Sequence, residues 1–412
     1  MTLRDLIRRT LCLGVLLTTW SGAPEANASE FSLEGSLQFD LRAFPGPRSY
    51  VGQDKSTVSP SFVAAPELFY ETDSGDDLFT FKPFFRADTH DRERTHFDIR
   101  EANWLRQGDG WDLTVGLGKV FWGVNESVHL VDIINQTDAV EDLDGENKLG
   151  QPMINFNLET HLGTFGGFIL PGFRERTFAG KKGRLRGRLA FDNDRATYDS
   201  SSEEQHTDFA ARWSHVIDDV DIGLSHFIGT SREPRFNQVN DGGRVLLRPH
   251  YDQIDQTGWD VQLTTGPWLW KLETMTRGGH GDRFVAGVGG VEYTIFQLGG
   301  LDFLRQADLG LIAEISQDGR DDTRAPATLN DNDVFFGTRL ALNDENDTSA
   351  LGGFVIDRLT GETLFSVEYE QRLTDTWKLE FKAHTTLNTP RDGFTQGIRH
   401  DDYFVIRLTR FF

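Results

Sequence analysis

Side chains able to do chemistry recur in this sequence at every second position. Lys378, Glu380, Lys382 and His384 alternate with Trp377, Leu379, Phe381 and Ala383. Asn155, Asn157 and Glu159 alternate with Ile154, Phe156 and Leu158, and Asp112 sits among Trp111, Leu113, Val115 and Leu117. A β-strand sends successive side chains to opposite faces, so each stretch presents one apolar and one polar face. Lys82, Arg86, Arg212, Lys271, Glu273 and Arg407 fall on polar faces of the same kind. Both signs of charge are present. Such residues either pair across strands and hold a wall together, or form a ladder that selects solutes by charge.

Catalytic motifs are missing. A hydrolase needs a nucleophile, a base and an orienting group within reach of one another. The 11 histidines are scattered, and the chain has no Gly-x-Ser-x-Gly, His-Glu-x-x-His or phosphate-binding glycine loop. The acidic stretches Asp318 to Asp322 and Asp331 to Asp333 lack the spacing and closing Glu of an EF-hand, and read as solvated loops. The expectation is therefore no enzyme, no metal and no cofactor. The one cysteine, Cys12, lies in an N-terminal apolar stretch. The remainder of the chain can make no disulfide, thiolate metal site or thiol nucleophile.

The elements that must position the polar faces are strands. Arg4, Arg8 and Arg9 precede the apolar run Leu11 to Leu17, and Ala26-Asn27-Ala28 supplies small residues at a cleavage site. Residues 1–28 thus read as a secretory signal peptide, and 29–412 as one domain. Period-two alternation starts at Phe31 and recurs to the end of the chain, giving about eighteen strands, with sixteen as the alternative. Short connections such as 73–76, 108–110 and 266–267 fall at one end of this array. The longest, 44–60, 120–152, 171–204 and 230–254, fall at the other. A soluble sandwich has no reason to sort its loops in this way. The reading is an all-β, transmembrane antiparallel β-barrel with short turns on one side and long loops on the other. Pro83, inside the stretch Leu78 to Asp88, predicts a bulge.

The chain carries 42 basic and 64 acidic side chains, which makes nucleic acid an unlikely partner class. Two long segments concentrate charge. Val120 to Pro152 holds Trp122, Glu126, Asp132 and the acidic run Asp138 to Glu146, and is the best candidate for a constriction loop folded inward. Its acids would favour cations. Pro171 to Gln205 holds Arg174, Arg176, Arg184, Arg186 and Arg188, which would favour anions or lipopolysaccharide phosphates.

Two stretches carry a resemblance. The segment Tyr403 to Phe412 resembles the C-terminal signal strand of bacterial outer-membrane proteins. Leu117-Gly118-Lys119-Val120-Phe121-Trp122-Gly123, followed by Asp132 to Asp138, is similar to a pattern in mostly uncharacterised porin-like families of proteobacteria. In them a strand ends in Gly-(Lys/Arg)-x-x-x-Trp-Gly and an Asn-Pro-x-Asp-like element follows; here Gln136 stands at the Pro position. A more distant similarity links the chain to polysaccharide-export barrels. The resemblance implies a channel in the bacterial outer membrane, surrounded by lipid and lipopolysaccharide and inserted by the barrel-assembly machinery. It also implies passage of a small-molecule or oligosaccharide solute. The alternatives are a plugged structural or adhesive barrel and an outer-membrane lipid hydrolase.

Overall fold

The alternation seen in the sequence becomes a closed wall in the computed structural model, which describes residues 29–142, 144–329, 331–390 and 394–412. The expected signal peptide lies outside the described residues. Eighteen strands among those described form one antiparallel sheet, each paired with its neighbours in chain order. The first strand, Glu30–Ala43, pairs with the last, Tyr403–Phe411, from Ser36↔Phe411 to Ala43↔Phe404, and this pairing closes the barrel. Gly35 and Phe412 exchange both backbone hydrogen bonds at 3.1 Å, so the seam runs to the final residue. A Cβ at Gly35 would lie 2.7 Å from the Ala65 carbonyl oxygen, which makes glycine a requirement of the seam.

Closure removes the unpaired strand edge that lipid does not tolerate. The outward faces are apolar and uncovered: Phe31 is 62 % exposed, Phe97 66 % and Phe209 53 %, and Trp270, Phe336 and Ile406 continue the ring. A water-soluble domain does not carry such a surface all around itself. The inward faces hold Asp40, Arg86, Asp208 and Glu273, all buried. The chain is an all-β transmembrane barrel, with polarity inverted relative to a soluble protein. The ladder shifts register between Lys82 and Pro83, where proline cannot donate a hydrogen bond.

Two-residue turns at 109–110, 161–162, 218–219 and 266–267 lie at one end. The long connections 44–57, 119–150, 172–206 and 389–402 lie at the other. Two connections break the sorting. Residues 296–307 form a long link at the short-turn end, and His280 alone separates strands Trp268–Gly279 and Gly281–Ile295 at the long-loop end. One long loop has its own structure: the hairpin Arg235–Asp241 and Arg244–Tyr251 pairs in parallel with the pieces Ala190–Phe191 and Thr197–Tyr198. Phe178, Phe191 and Phe236 stack beneath it, with ring centroids 4.5 to 5.2 Å apart.

Candidate functional site

The segment 119–150 leaves strand Trp111–Gly118, crosses the lumen and returns to strand Gln151–Thr160. Asn135 fixes where it leaves. Its side chain accepts from the Val120 N–H at 2.9 Å and donates to the carbonyls of Gly118 and Leu149, both at 2.9 Å. One amide thus ties both ends of the loop together. This gives a physical role to the Asn of the Asn-x-x-Asp element, and Asp138 supplies the other: it pairs with Arg100 at 2.6 Å.

Three surfaces hold the loop. Its apolar side, Val131, Ile133 and Ile134, packs with Trp122 on the inward residues Phe168, Ala210 and Phe227. Trp122 meets Phe168 edge-on, and the Arg212 guanidinium lies 5.1 Å above the indole. The tip is gripped by two wall carboxylates. Glu273 accepts from the backbone of Val124 at 2.7 Å, Asn125 at 3.0 Å and Val131 at 3.3 Å. Glu314 accepts from the N–H groups of Glu126 and Ser127, both at 2.8 Å, and Glu126 pairs with Arg339. The acidic half docks on the opposite side. Arg86 holds Glu141 in a two-point contact at 2.6 and 2.7 Å and Asp40 at 2.7 Å. Tyr403 donates to Asp142 at 2.8 Å, and Lys382 reaches Asp144 at 3.2 Å. Charged hydrogen bonds in a buried setting are the strong ones.

His129 links tip to wall, with Glu146 at 3.3 Å and Glu273 at 3.8 Å. Burial disfavours its charged form, but the two neighbouring carboxylates, Glu146 first, outweigh that and raise its pKa to about 9. Burial raises the Asp132 carboxyl against the opposing pull of Lys148, 2.9 Å away. Asp144 is pushed up to about 6, first by burial and then by repulsion from Asp142.

The remaining predicted residues are mostly paired. Lys82 bridges Glu67 at 2.9 Å and Glu101 at 3.4 Å. Asp112 accepts from Asn157 at 2.8 Å, and Asn157 also bonds Asn155. Arg212 makes a two-point contact with Asp260, Lys271 lies 3.6 Å from Glu292, and Arg407 joins Asp40 at 2.8 Å and Glu380 at 3.8 Å. Arg174 pairs with Asp98 at 2.6 Å, and Arg184 with Asp401 at 2.7 Å. Arg176 donates to Gln136 and to the Arg232 carbonyl. Arg186 donates to the carbonyls of Lys181 and Gly187. Glu159 and Arg188 are exposed at opposite ends of the barrel. Much of both charged runs is engaged within the protein, although Asp144 and Glu146 of the acidic run also line the lumen. Glu141, Asp138 and Asp142 face wall cations or a wall hydroxyl, and Arg174 and Arg184 face wall or loop carboxylates.

Sequence reasoning missed Asp40, Asp98, Arg94, Arg100 and Glu314. Each occupies a polar position of an alternating strand or its edge, the same signal that Arg86 and Glu273 carry. At the long-loop end, His250 lies 2.9 Å from the Thr197 hydroxyl and 3.2 Å from Asp199. Because His250 and Thr197 are register partners, this triplet stitches the hairpin to its parallel piece.

Between the loop and the far wall lies a cavity of ≈ 410 Å³. It extends from Thr395 and Ile398 at the long-loop end to Leu351 and Glu368, which are opposite one another in the ladder. The loop contributes Asn125 to Ser127, His129, Asp144 and Glu146.

No family model matches the chain, and no curated protein matches it. Solved structures similar to it include a mutant of the Rhodopseudomonas blastica porin, at 13 % identity and a TM-score of 0.42. Another is a loop-deletion mutant of OmpT, an outer membrane protein of Vibrio cholerae, at 11 % identity and a TM-score of 0.45. A third, described by the asymmetric conductivity of engineered proteins, has 12 % identity and a TM-score of 0.43. Each likeness covers 93 % of this chain and 100 % of the other.

Proposed function

We propose that this barrel is a passive channel of the bacterial outer membrane, narrowed by the 119–150 loop, through which a small hydrophilic or amphiphilic solute passes down its gradient. The observation that carries the reading is the cavity between the loop and the wall of strands Asp333–Ala341, Ser349–Asp357 and Thr363–Thr374. The loop crosses the lumen and leaves this cavity on one side of it. The apolar outer ring meets membrane lipid, with lipopolysaccharide at the long-loop end, and the strand ending at Phe412 is the segment offered to the barrel-assembly machinery. Eighteen strands enclose a lumen too wide for side chains to fill, so a loop must set the bore.

The test is single-channel recording of the refolded protein in a planar bilayer, with reversal potentials in a salt gradient. Steady ohmic steps are expected. A second reading, a plugged structural barrel, draws support from the ion pairs that fasten the loop on both sides. It requires a silent bilayer from protein whose folded state is verified by heat-dependent gel mobility. Hydrolysis of detergent-dispersed phospholipid by the same preparation would favour the lipid hydrolase instead.

A further inference from the structure

The lining of the ≈ 410 Å³ cavity is sharply divided. On the wall side Phe335, Val355 and Leu364 are consecutive register partners across three strands, and Leu351 lies beside them. They occupy inward positions; their sequence neighbours Phe336, Phe354 and Phe365 occupy the outward face. The Phe335 ring lies over Gly337 and Gly353, where an added Cβ would come within 2.6 and 2.5 Å of it. Two glycines thus make room for the apolar strip.

The rest of the lining is acidic. Glu126, Asp144, Glu146, Glu368, Asp401 and Asp402 line the cavity, and neither Lys nor Arg is among its lining residues. His129, itself in the lining, faces Glu146 at 3.3 Å, and the other balancing cations reach these acids from outside it: Arg339 pairs with Glu126 and Arg184 with Asp401. Lys382 is shared by Asp142, Asp144 and Glu368, at 3.5, 3.2 and 2.9 Å. One lysine thus serves both Asp144 and Glu368 of the lining.

We infer that the cavity binds an amphiphilic ammonium, with its apolar body on the Phe335–Val355–Leu364 strip and its N–H donors directed to the loop carboxylates. The inference rests on the channel reading and names its substrate class. An aliphatic chain gains free energy with each methylene it removes from water, and the acids select the sign of the head group.

The test is calorimetric titration of the full mature protein in lipid nanodiscs, with empty nanodiscs as the blank. Three probes separate the contributions: hexylammonium, methylammonium and hexyl sulfate. Hexylammonium is expected to bind at least about tenfold more tightly than either of the others. Asp144→Asn combined with Glu146→Gln should weaken hexylammonium about tenfold and leave hexyl sulfate unchanged. Leu364→Asn should erase the advantage of hexylammonium over methylammonium; Val355→Thr reads the same strip if that variant does not fold. Equal binding of hexyl sulfate, heats equal to those of empty nanodiscs, or indifference to these substitutions would overturn the inference. Planar-bilayer recording of the same preparation keeps the two ideas apart. Conductance without ammonium preference removes this inference and leaves the channel. Ammonium binding without conductance removes the channel and leaves a ligand site.

Discussion

Two stretches of the inner wall carry apolar side chains, and the chain treats them differently. On strands from Gln151–Thr160 to Gln253–Thr265, the inward residues Met153, Phe168, Leu170, Ala210, Phe227 and Ile254 are buried under Trp122, Val131, Ile133 and Ile134. On strands Asp333–Ala341, Ser349–Asp357 and Thr363–Thr374, Phe335, Leu351, Val355 and Leu364 face a cavity. Strand alternation alone makes both walls look alike. The difference lies in what covers them. Apolar burial at about 25 cal/mol per Å² holds the loop to the first wall. Among the described residues the second wall carries no such layer: Phe335 is buried, but Leu351, Val355 and Leu364 are only half-buried, so their strip is available to whatever enters the lumen. In the proposed channel the loop's attachment therefore decides on which side the passage runs.

The largest way to break this arrangement is to remove a clamp under the covered half. Arg86 is 1 % exposed and holds Asp40 and Glu141 together. Arg86→Ala takes the two-point partner from Glu141 and one of two hydrogen-bonded cations from Asp40, both buried, which costs about 3–5 kcal/mol. A lower temperature for loss of the folded gel band checks this, and conductance should become noisier as the acidic half of the loop comes loose.

A matched pair of truncations sharpens the contrast between the walls. Ile134 is fully buried against the covered wall, and Ile134→Ala should destabilise by about 2–5 kcal/mol through lost burial and a cavity. Leu364→Ala removes a similar volume from the uncovered wall, where no chain packs on it, and should cost under about 1.5 kcal/mol. Urea unfolding in lipid measures both. Equal losses would mean that the two walls are not different in kind.

How much of this was legible beforehand follows from the same physics. Lipid outside and water inside force a strict alternation, so all eighteen strands could be read locally, down to the bulge at Pro83. The closing strand was legible because Tyr403 to Phe412 alternates to its last residue. Partner choice was not. Arg86 and Glu141 are separated by 55 residues, Asp40 and Arg407 by 367. Asp138 and Glu141 looked solute-facing because the arginines that neutralise them, Arg100 and Arg86, lie on strands far away in sequence. The hairpin Arg235–Tyr251 read as loop because arginines occupy positions that would otherwise show alternation. Phe335, Val355 and Leu364 each read as ordinary strand residues, and only the register shows that they adjoin.

The grip of Glu273 on the loop tip can be loosened by pH. His129 titrates at about 9 in the folded barrel against 6.5 when free, because its two carboxylate partners outweigh the burial that disfavours its charge. A folded value above the free value gives a contribution that is complete below pH 6.5 and lost as pH rises through about 9. Conductance should therefore rise between pH 7 and pH 10 as the tip detaches from strand Trp268–Gly279. His129→Asn should be insensitive over the same interval, and a flat wild-type profile would refute this role for the ring.

The smallest effect separates the walls by charge selectivity. Asp144 lies on the cavity side and titrates at about 6, raised by burial and by Asp142 despite Lys382. A carboxyl raised above its free value of 3.8 favours the fold when protonated, so its contribution is present below pH 3.8 and lost as pH climbs through 6. Acidification to pH 5 should not unfold the barrel through this group. It should instead remove one negative charge from the lining, and the reversal potential in a KCl gradient should shift toward weaker cation preference between pH 7.5 and pH 5. Asp144→Asn should start from the weaker preference and lose most of the shift. Asp98, fixed between Arg100 and Arg174 on the covered half, supplies the comparison. Asp98→Asn should leave selectivity where it was, because ions that travel along the Phe335 wall do not meet it. Were Asp98→Asn to change the reversal potential as much as Asp144→Asn, the passage would have to run through the side that the loop closes.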